Sequence, residues 1–364
     1  MKKFRFKLIS LFLAVMMVFC LSGCSESQTR MMFGTGGTAG TYYSYGGILA
    51  QYMKTYAGVR TTAVSTGGSK VNIQSIQDGD FQLGFTQSDV MTYAWNGTRA
   101  FEQDGPTHDF RTLGVLYAET VQLLTMDDDI TSVEDLRGKR VSIGQAGSGV
   151  YFNAVDVLEG AGMTIKDIKP QYQSFEDSKE SLKDGKIDAA FIVAGPPTSA
   201  ITELATTNGV NLINIDGTVR DKILSKCPYY KTYTIPADTY PGQTEPVSTI
   251  TVQATVVVSA QADEDTVYKL TSAIFDHVDD ITKENAKGAE LKLEMIFQQF
   301  KELLAKEGVK EIEAKGKEFD PELMNAVMHI EDENLGENVV AQVFQAGFEL
   351  NGKVLRHAIV QVAN

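Results

Sequence analysis

The chain predicts an α/β fold of two lobes, each a mostly parallel sheet flanked by helices, with the lobes hinged by crossing strands. Three observations point to it. A glycine-rich turn, Gly34-Thr-Gly-Gly-Thr-Ala-Gly-Thr-Tyr-Tyr43, sits between a strand-like and a helix-like run. A second such turn, Gly144-Gln-Ala-Gly-Ser-Gly149, mirrors it further along. A phrase in the first half, Asp78-Gly-Asp-Phe-Gln-Leu-Gly-Phe85, recurs in the second as Asp184-Gly-Lys-Ile-Asp-Ala-Ala-Phe191. A repeat of roughly a hundred residues is far longer than a solenoid period and suits two copies of strand, glycine turn, helix and strand.

The elements follow in order. Lys2, Lys3, Arg5 and Lys7 precede the apolar stretch Leu8 to Leu21 and the small residues before Cys24, which is the pattern of an export signal over 1–23. The stretch is too short for an ordinary membrane span of about 20 residues. A linker over 24–30 leads to the strand Met31 to Phe33 and a helix carrying Tyr42, Leu49, Tyr52 and Met53. Thr61 to Ser65 is the next strand, Thr66-Gly-Gly-Ser69 the next turn, then a short helix and the strand ending at Phe85. The apolar runs Leu113 to Tyr117, Val121 to Met126 and Ile250 to Val258 read as the crossing segments. They divide the chain into lobe 1 (31–119 and 249–364) and lobe 2 (120–248). In lobe 2, Val141 to Ile143 is a strand, and Val150, Ala154, Val157 and Leu158 mark a helix. Pro228, Pro236, Pro241 and Pro246 make the end of that lobe turn-rich. Apolar residues at helical spacing over 264–283 and 290–306 predict a helical C-terminus from about 285.

Composition narrows the function. The formal net charge of −14 argues against a nucleic-acid partner, which demands a basic surface. Of the three cysteines, Cys20 belongs to the signal and Cys24 to its end, so Cys227 stands alone and no disulfide framework exists. His108, His277, His329 and His357 are scattered without metal-ligand spacing. No Gly-x-Ser-x-Gly elbow or Ser-x-x-Lys occurs, so neither catalytic nor metal residues are assigned and no cofactor is expected. Gly34, Gly36, Gly37 and Gly40 loosely resemble a dinucleotide-binding fingerprint, but an exported protein meets little free NAD.

What remains is a clamp. In open α/β sheets ligands bind beyond the carboxyl ends of the strands, and here residues 34–42, 66–72, 86–89, 146–149 and 193–198 would converge. Turns that open helices supply free N–H groups and the positive helix end, which suit an anion. Thr41, Ser69 and Ser148 read either as helix caps or as ligand contacts.

Six phrases in order resemble the TAXI family, the solute-binding proteins of TRAP transporters, over roughly residues 31–275. They are Gly34 to Tyr43, Ser65-Thr-Gly-Gly-Ser-Lys-Val-Asn72, Gln87-Ser-Asp89, Asp135-Leu-Arg-Gly-Lys-Arg-Val-Ser-Ile-Gly144, Ala194-Gly-Pro-Pro-Thr198 and Ile235-Pro-Ala-Asp-Thr-Tyr-Pro-Gly242. The resemblance implies a periplasmic-binding-protein fold of the second type, closing over a small carboxylate such as glutamate, glutamine or 2-oxoglutarate. It also implies a monomer that performs no reaction and delivers its solute to a TRAP-type membrane permease. The phrase Leu21-Ser-Gly-Cys24 resembles a lipobox, which implies an extracytoplasmic protein held to the membrane by lipid on Cys24. Carried over by motif, the contacts are Gly37, Thr38, Tyr42, Ser69, Asn72, Gln87, Asp89, Ser148, Gly195 and Pro197. An ABC importer or a ligand-presenting sensor could use the same fold. The family's usual His-Pro-Gly-Ala-like segment is absent, and beyond about 285 the chain follows its own course.

Overall fold

Alternating burial of Met31 and Phe33 makes Arg30–Gly34 the first strand, β1. Gly40, with extended backbone, then opens α1 (Thr41–Tyr56), which buries Tyr42, Tyr45, Leu49, Tyr52 and Met53 along one stripe. β2 (Arg60–Val64), α2 (Ser69–Gln77), β3 (Leu83–Gln87) and α3 (Ser88–Asn96) complete the first α/β unit, in which β1 pairs in parallel with both β2 and β3. The long strand β4 (Phe110–Thr125) leads out of it. The order then repeats with β5 (Arg140–Ser142), α4 (Gly149–Gly160), β6 (Lys169–Gln171), α5 (Phe175–Lys183) and β7 (Ala189–Ala194), where β5 pairs in parallel with β6 and β7. After α6 (Ser199–Thr207), β8 (Asn211–Ile213), α7 (Gly217–Lys226) and β9 (Lys231–Ile235), the strand β10 (Val247–Ser259) returns, followed by α8 (Glu264–Phe275) and α9 (Val278–Glu284). These elements come from a computed structural model that describes residues 30–290, 308–332 and 335–364. The export signal, Cys24 and the helical pattern of 291–306 lie outside the described residues.

The sheet runs β2-β1-β3-β10-β4-β7-β5-β6, so each half has the same order: three parallel strands, first in the middle, closed by one antiparallel crossing strand. The faint repeat in the sequence is therefore a repeat of topology. The two crossing strands pair with each other from Thr251↔Thr120 to Ser259↔Phe110. Leu113 to Tyr117 and Val121 to Thr125, read separately in the sequence, are one strand. Each crossing strand feeds two cores. Leu113, Leu116, Ala254 and Val256 pack with Phe33, Tyr45 and Phe85, whereas Val121, Leu123, Ile250 and Val252 pack with Val141, Val157 and Phe191. Two cores joined by two strands give two lobes and a hinge, the periplasmic-binding-protein fold of the second type predicted from the sequence.

The C-terminal region differs from expectation. Residues Lys292–Asn364 form a compact unit separate from Met1–Leu291, and its described part is built of strands, not the helices expected from about 285 as an extension of lobe 1. β11 (Val309–Glu311), β14 (Phe348–Leu350) and β15 (Lys353–Arg356) form one small sheet. β12 (Met324–Ile330), β13 (Val339–Gln345) and β16 (Ala358–Ala363) form another around Met324, Val340, Ala358, Val360 and Val362. The physical signal was local: Ala358, Val360 and Val362 alternate with partly exposed residues, a period of two that a helical extrapolation passes over.

Candidate functional site

Six parallel strands, three from each lobe, end at one place. Beyond them lies a cavity of about 60 Å³ lined by Gly36, Gly37 and Tyr42 after β1, Gly68 and Ser69 after β2, Gln87 at the end of β3, Gln145, Ser148 and Gly149 after β5, Ser174 and Phe175 after β6, and Ala194 at the end of β7. The residues that make these turns also start helices: α1, α2, α4 and α5 all open here. At Gly40, Gly68 and Ser148, the residues before α1, α2 and α4, no side chain caps the helix. Only Ser174 caps its own helix, accepting from the Asp177 N–H at 3.1 Å. Three uncapped helix starts facing one space leave backbone donors directed at it.

Side chains around the cavity tell the same story. Tyr42 Oη, Gln87 Oε1, Glu119 Oε1 and Ser148 Oγ are buried without a hydrogen-bond partner, and all four residues line the cavity. Buried polar atoms are normally paired, because an unmade hydrogen bond costs about 1–3 kcal/mol. Four orphans around one space mark it as made for a polar occupant. Burial raises the Tyr42 hydroxyl well above its ordinary value and pushes the Glu119 carboxyl up to about 8. Tyr42 is held by stacking on Phe85, with ring centroids 4.6 Å apart.

The lobes are closed on each other across this cavity. Thr41 Oγ1 donates to the Gly195 carbonyl at 3.1 Å, and the Lys70 N–H to the Gly147 carbonyl at 3.1 Å. Gln87 Nε2 donates to Asn153 Oδ1 at 2.9 Å, and Asn153 Nδ2 to Asp89 Oδ2 at 3.0 Å and to the Tyr230 hydroxyl at 2.7 Å. Further out, Arg99 pairs with Asp156 at 2.7 Å and the hydroxyls of Tyr93 and Tyr229 meet at 2.8 Å. Gly149 is essential to this fit. A Cβ there would overlap the Gln87 side-chain amide and approach Ser69 Oγ to 3.2 Å.

Of the residues expected from the sequence, Gly37, Tyr42, Ser69, Gln87 and Ser148 line the cavity. Thr38 is exposed and lines an adjoining opening shared with Gly37, Gly67 and Phe175. Four others stand elsewhere. Asn72 is a strut beneath the first turn: its Nδ2 donates to the carbonyls of Thr35 and Phe85, at 2.6 and 2.8 Å, and its Oδ1 accepts from Thr66 Oγ1 at 2.7 Å. Asp89 is fully buried behind Gln87, with its carboxyl raised to about 7 by burial. Gly195 contributes its carbonyl to the interlobe bond and packs against Tyr117, and Pro197 is exposed. Lys70 pairs with Asp104 at 2.7 Å and does not enter the cavity.

Glu119 escaped sequence reasoning, as did Gln145 and Phe175. The signal for Glu119 was present, since it is the one charge between two apolar runs that prove to be a single strand. Phe175 and its neighbours follow β6, three residues long and weak in pattern. Among the described residues, no cluster of His, Cys, Asp and Glu could hold a metal ion, and no helix is long and apolar enough to cross a membrane.

The sequence model of the NMT1-like family matches residues 33–304 of this chain. The chain belongs to the NMT1-like family. That match takes in both lobes and every residue of the cavity. A second model, GrpE, matches residues 261–364, overlapping the end of the NMT1-like match. Protein GrpE of Clostridium acetobutylicum is 52% identical over 83 residues, covering 23% of this chain and 41% of that protein. Protein GrpE of Clostridium beijerinckii is 58% identical over 72 residues, covering 20% and 34%. The chain thus spans less than half the length of these curated relatives. Among solved structures, the periplasmic aliphatic sulphonate binding protein of Escherichia coli is similar over 76% of this chain and 84% of its own, with 18% identity and a TM-score of 0.41. A putative L-cystine ABC transporter protein of Listeria monocytogenes covers 72% and 98%, with 15% identity and a TM-score of 0.47.

Proposed function

We propose that this chain is an extracytoplasmic solute-binding lipoprotein that captures a small carboxylate, of the glutamate, glutamine or 2-oxoglutarate kind, and hands it to a TRAP-type membrane permease. The observation that carries the binding role is the cavity between the closed lobes, where three uncapped helix starts and four orphaned polar side chains converge. Helix starts favour an anion, and a water-poor cleft strengthens each contact. Residues 31–119 with about 249–290 would act as one jaw and 120–248 as the other, hinged on β4 and β10. Gly37, Tyr42, Ser69, Gln87 and Ser148 would touch the solute, whereas Asn72, Asp89 and Gly195 would hold the jaws in shape. The solute shifts the population from open to closed and leaves unchanged.

The TRAP and TAXI assignments rest on the six sequence phrases, and the lipid anchor rests on Leu21 to Cys24. Melting curves of the protein with a panel of amino and keto acids test the binding role, and no shift with any carboxylate would refute the ligand class. Replacing Cys24 by serine moves the protein from the membrane to the soluble fraction if the anchor is as proposed. Unchanged partition would refute it.

A further inference from the structure

The polar atoms around the cavity do not all ask for the same partner. The helix starts present donors, and Ser148 Oγ and Tyr42 Oη can donate or accept, whereas Glu119, whose burial favours the protonated carboxyl, becomes a pure acceptor when a cationic group beside it ionises it. Gln87 adds a second acceptor, and its orientation is fixed by its neighbours. Asn153 turns its Nδ2 to the Asp89 carboxyl and the Tyr230 hydroxyl, so its Oδ1 faces Gln87. Gln87 must then give Nε2 to Asn153, which leaves Oε1 as the unpaired atom. Glu119 itself is 2% exposed, and no lysine, arginine or histidine is among the residues lining the cavity. Lys287, on the short helical turn after α9, acts on the Glu119 carboxyl but is engaged with Glu290 at 2.9 Å and does not line the cavity. A carboxylate-only solute would satisfy the helix starts but bring no donor to Gln87 Oε1 and no cation to ionise Glu119.

Building on the reading that the cavity binds a small carboxylate, we infer that Glu119 sets its specificity: the solute carries an ammonium group besides its carboxylate, and Glu119 receives that ammonium. The helix starts take the acid end and Glu119 and Gln87 take the amine end. Keto acids of the same skeleton lack the donors and hydroxy acids offer one neutral O–H in place of a charged ammonium, so both are rejected, because acceptors stay unpaired in a desolvated site.

Calorimetric titration of the full chain with matched pairs tests this: L-glutamate against 2-oxoglutarate, L-alanine against pyruvate, and putrescine as an amine without a carboxylate. A charge-assisted hydrogen bond predicts that the amino member of a binding pair binds roughly 10- to 100-fold more tightly. Glu119→Gln should weaken the amino acid by a similar factor while changing the keto acid by less than about threefold, with Glu119→Asp in between. A keto acid bound as tightly as its amino partner overturns the inference and leaves the carboxylate reading standing. Equal weakening of both members by Glu119→Gln also overturns it. Putrescine binding alone, lost in Glu119→Gln, would support the role of Glu119 and refute the carboxylate. Binding of none of the five would refute both.

Discussion

Replacing Gly149 by alanine should cripple ligand capture while sparing the fold. Gly149 is the first residue of α4, with no left-handed backbone requirement, so within its own lobe alanine is a better helix former than glycine by up to about 1 kcal/mol. The cost arises only on closure, because the added Cβ overlaps the Gln87 amide, which belongs to the other lobe. Gln87 is 2% exposed and cannot swing aside without losing its 2.9 Å bond to Asn153. Overpacking costs about 1–3 kcal/mol and a lost hydrogen bond about 0.5–1.5, so the closed state should suffer by about 1.5–4.5 kcal/mol. Since the solute binds the closed state, its apparent Kd should rise roughly 10- to 1,000-fold. The assay is calorimetric titration with the tightest acid of the panel, alongside melting and small-angle scattering of the unliganded protein. Unchanged affinity, or a large loss of melting temperature without loss of binding, would refute the view that these lobes close around the solute with Gly149 against Gln87.

Other consequences are equally direct. Burial raises the Glu119 carboxyl to about 8, above its unfolded range, so from about pH 4.3 upward the folded state keeps a proton the unfolded state releases. Stability should therefore fall as pH rises, by about 1.4 kcal/mol per pH unit from this group, levelling off above its folded value. Glu119→Gln should match the parent at pH 4 and exceed it at pH 8 in urea melts, and parallel pH profiles would contradict this. Asn72→Ala, which takes a donor from the buried Thr35 and Phe85 carbonyls and an acceptor from Thr66 Oγ1, should cost about 2–4 kcal/mol of stability, whereas Ser148→Ala should cost under about 1 kcal/mol yet weaken binding. The reverse ranking in paired melting and titration experiments would show that the strut and contact roles are exchanged. A chain ending at Leu291, where the first compact unit ends, should retain the parent's solute affinity within about threefold, since every lining residue precedes that point. A larger loss would tie the C-terminal unit to binding.

Much of this protein was written in local pattern. The glycine turns at 34–42 and 144–149 were legible because a turn that opens a helix needs small residues and a strand before it, and the doubled Asp-Gly phrase exposed the repeat of the two lobes. The cavity wall was legible in part too: Gly37, Tyr42, Ser69, Gln87 and Ser148 line it because they lie at strand ends, where the chain order alone predicts convergence. Tertiary structure decided the rest. Asn72 and Asp89 belong to the same phrases, but one is turned under the loop by partners in its own lobe and the other into a buried interlobe network, contacts that no local pattern reveals. Glu119 became part of the site only when two apolar runs joined into one strand crossing beneath both turns. The C-terminal strands carried a local sign, the alternation of Ala358, Val360 and Val362, but their pairing could not be read from it: Met324 lies opposite Ala358 and Val340 opposite Val362. A helix bonds within itself and so announces itself locally, whereas a strand is completed only by the neighbour that the fold brings to it.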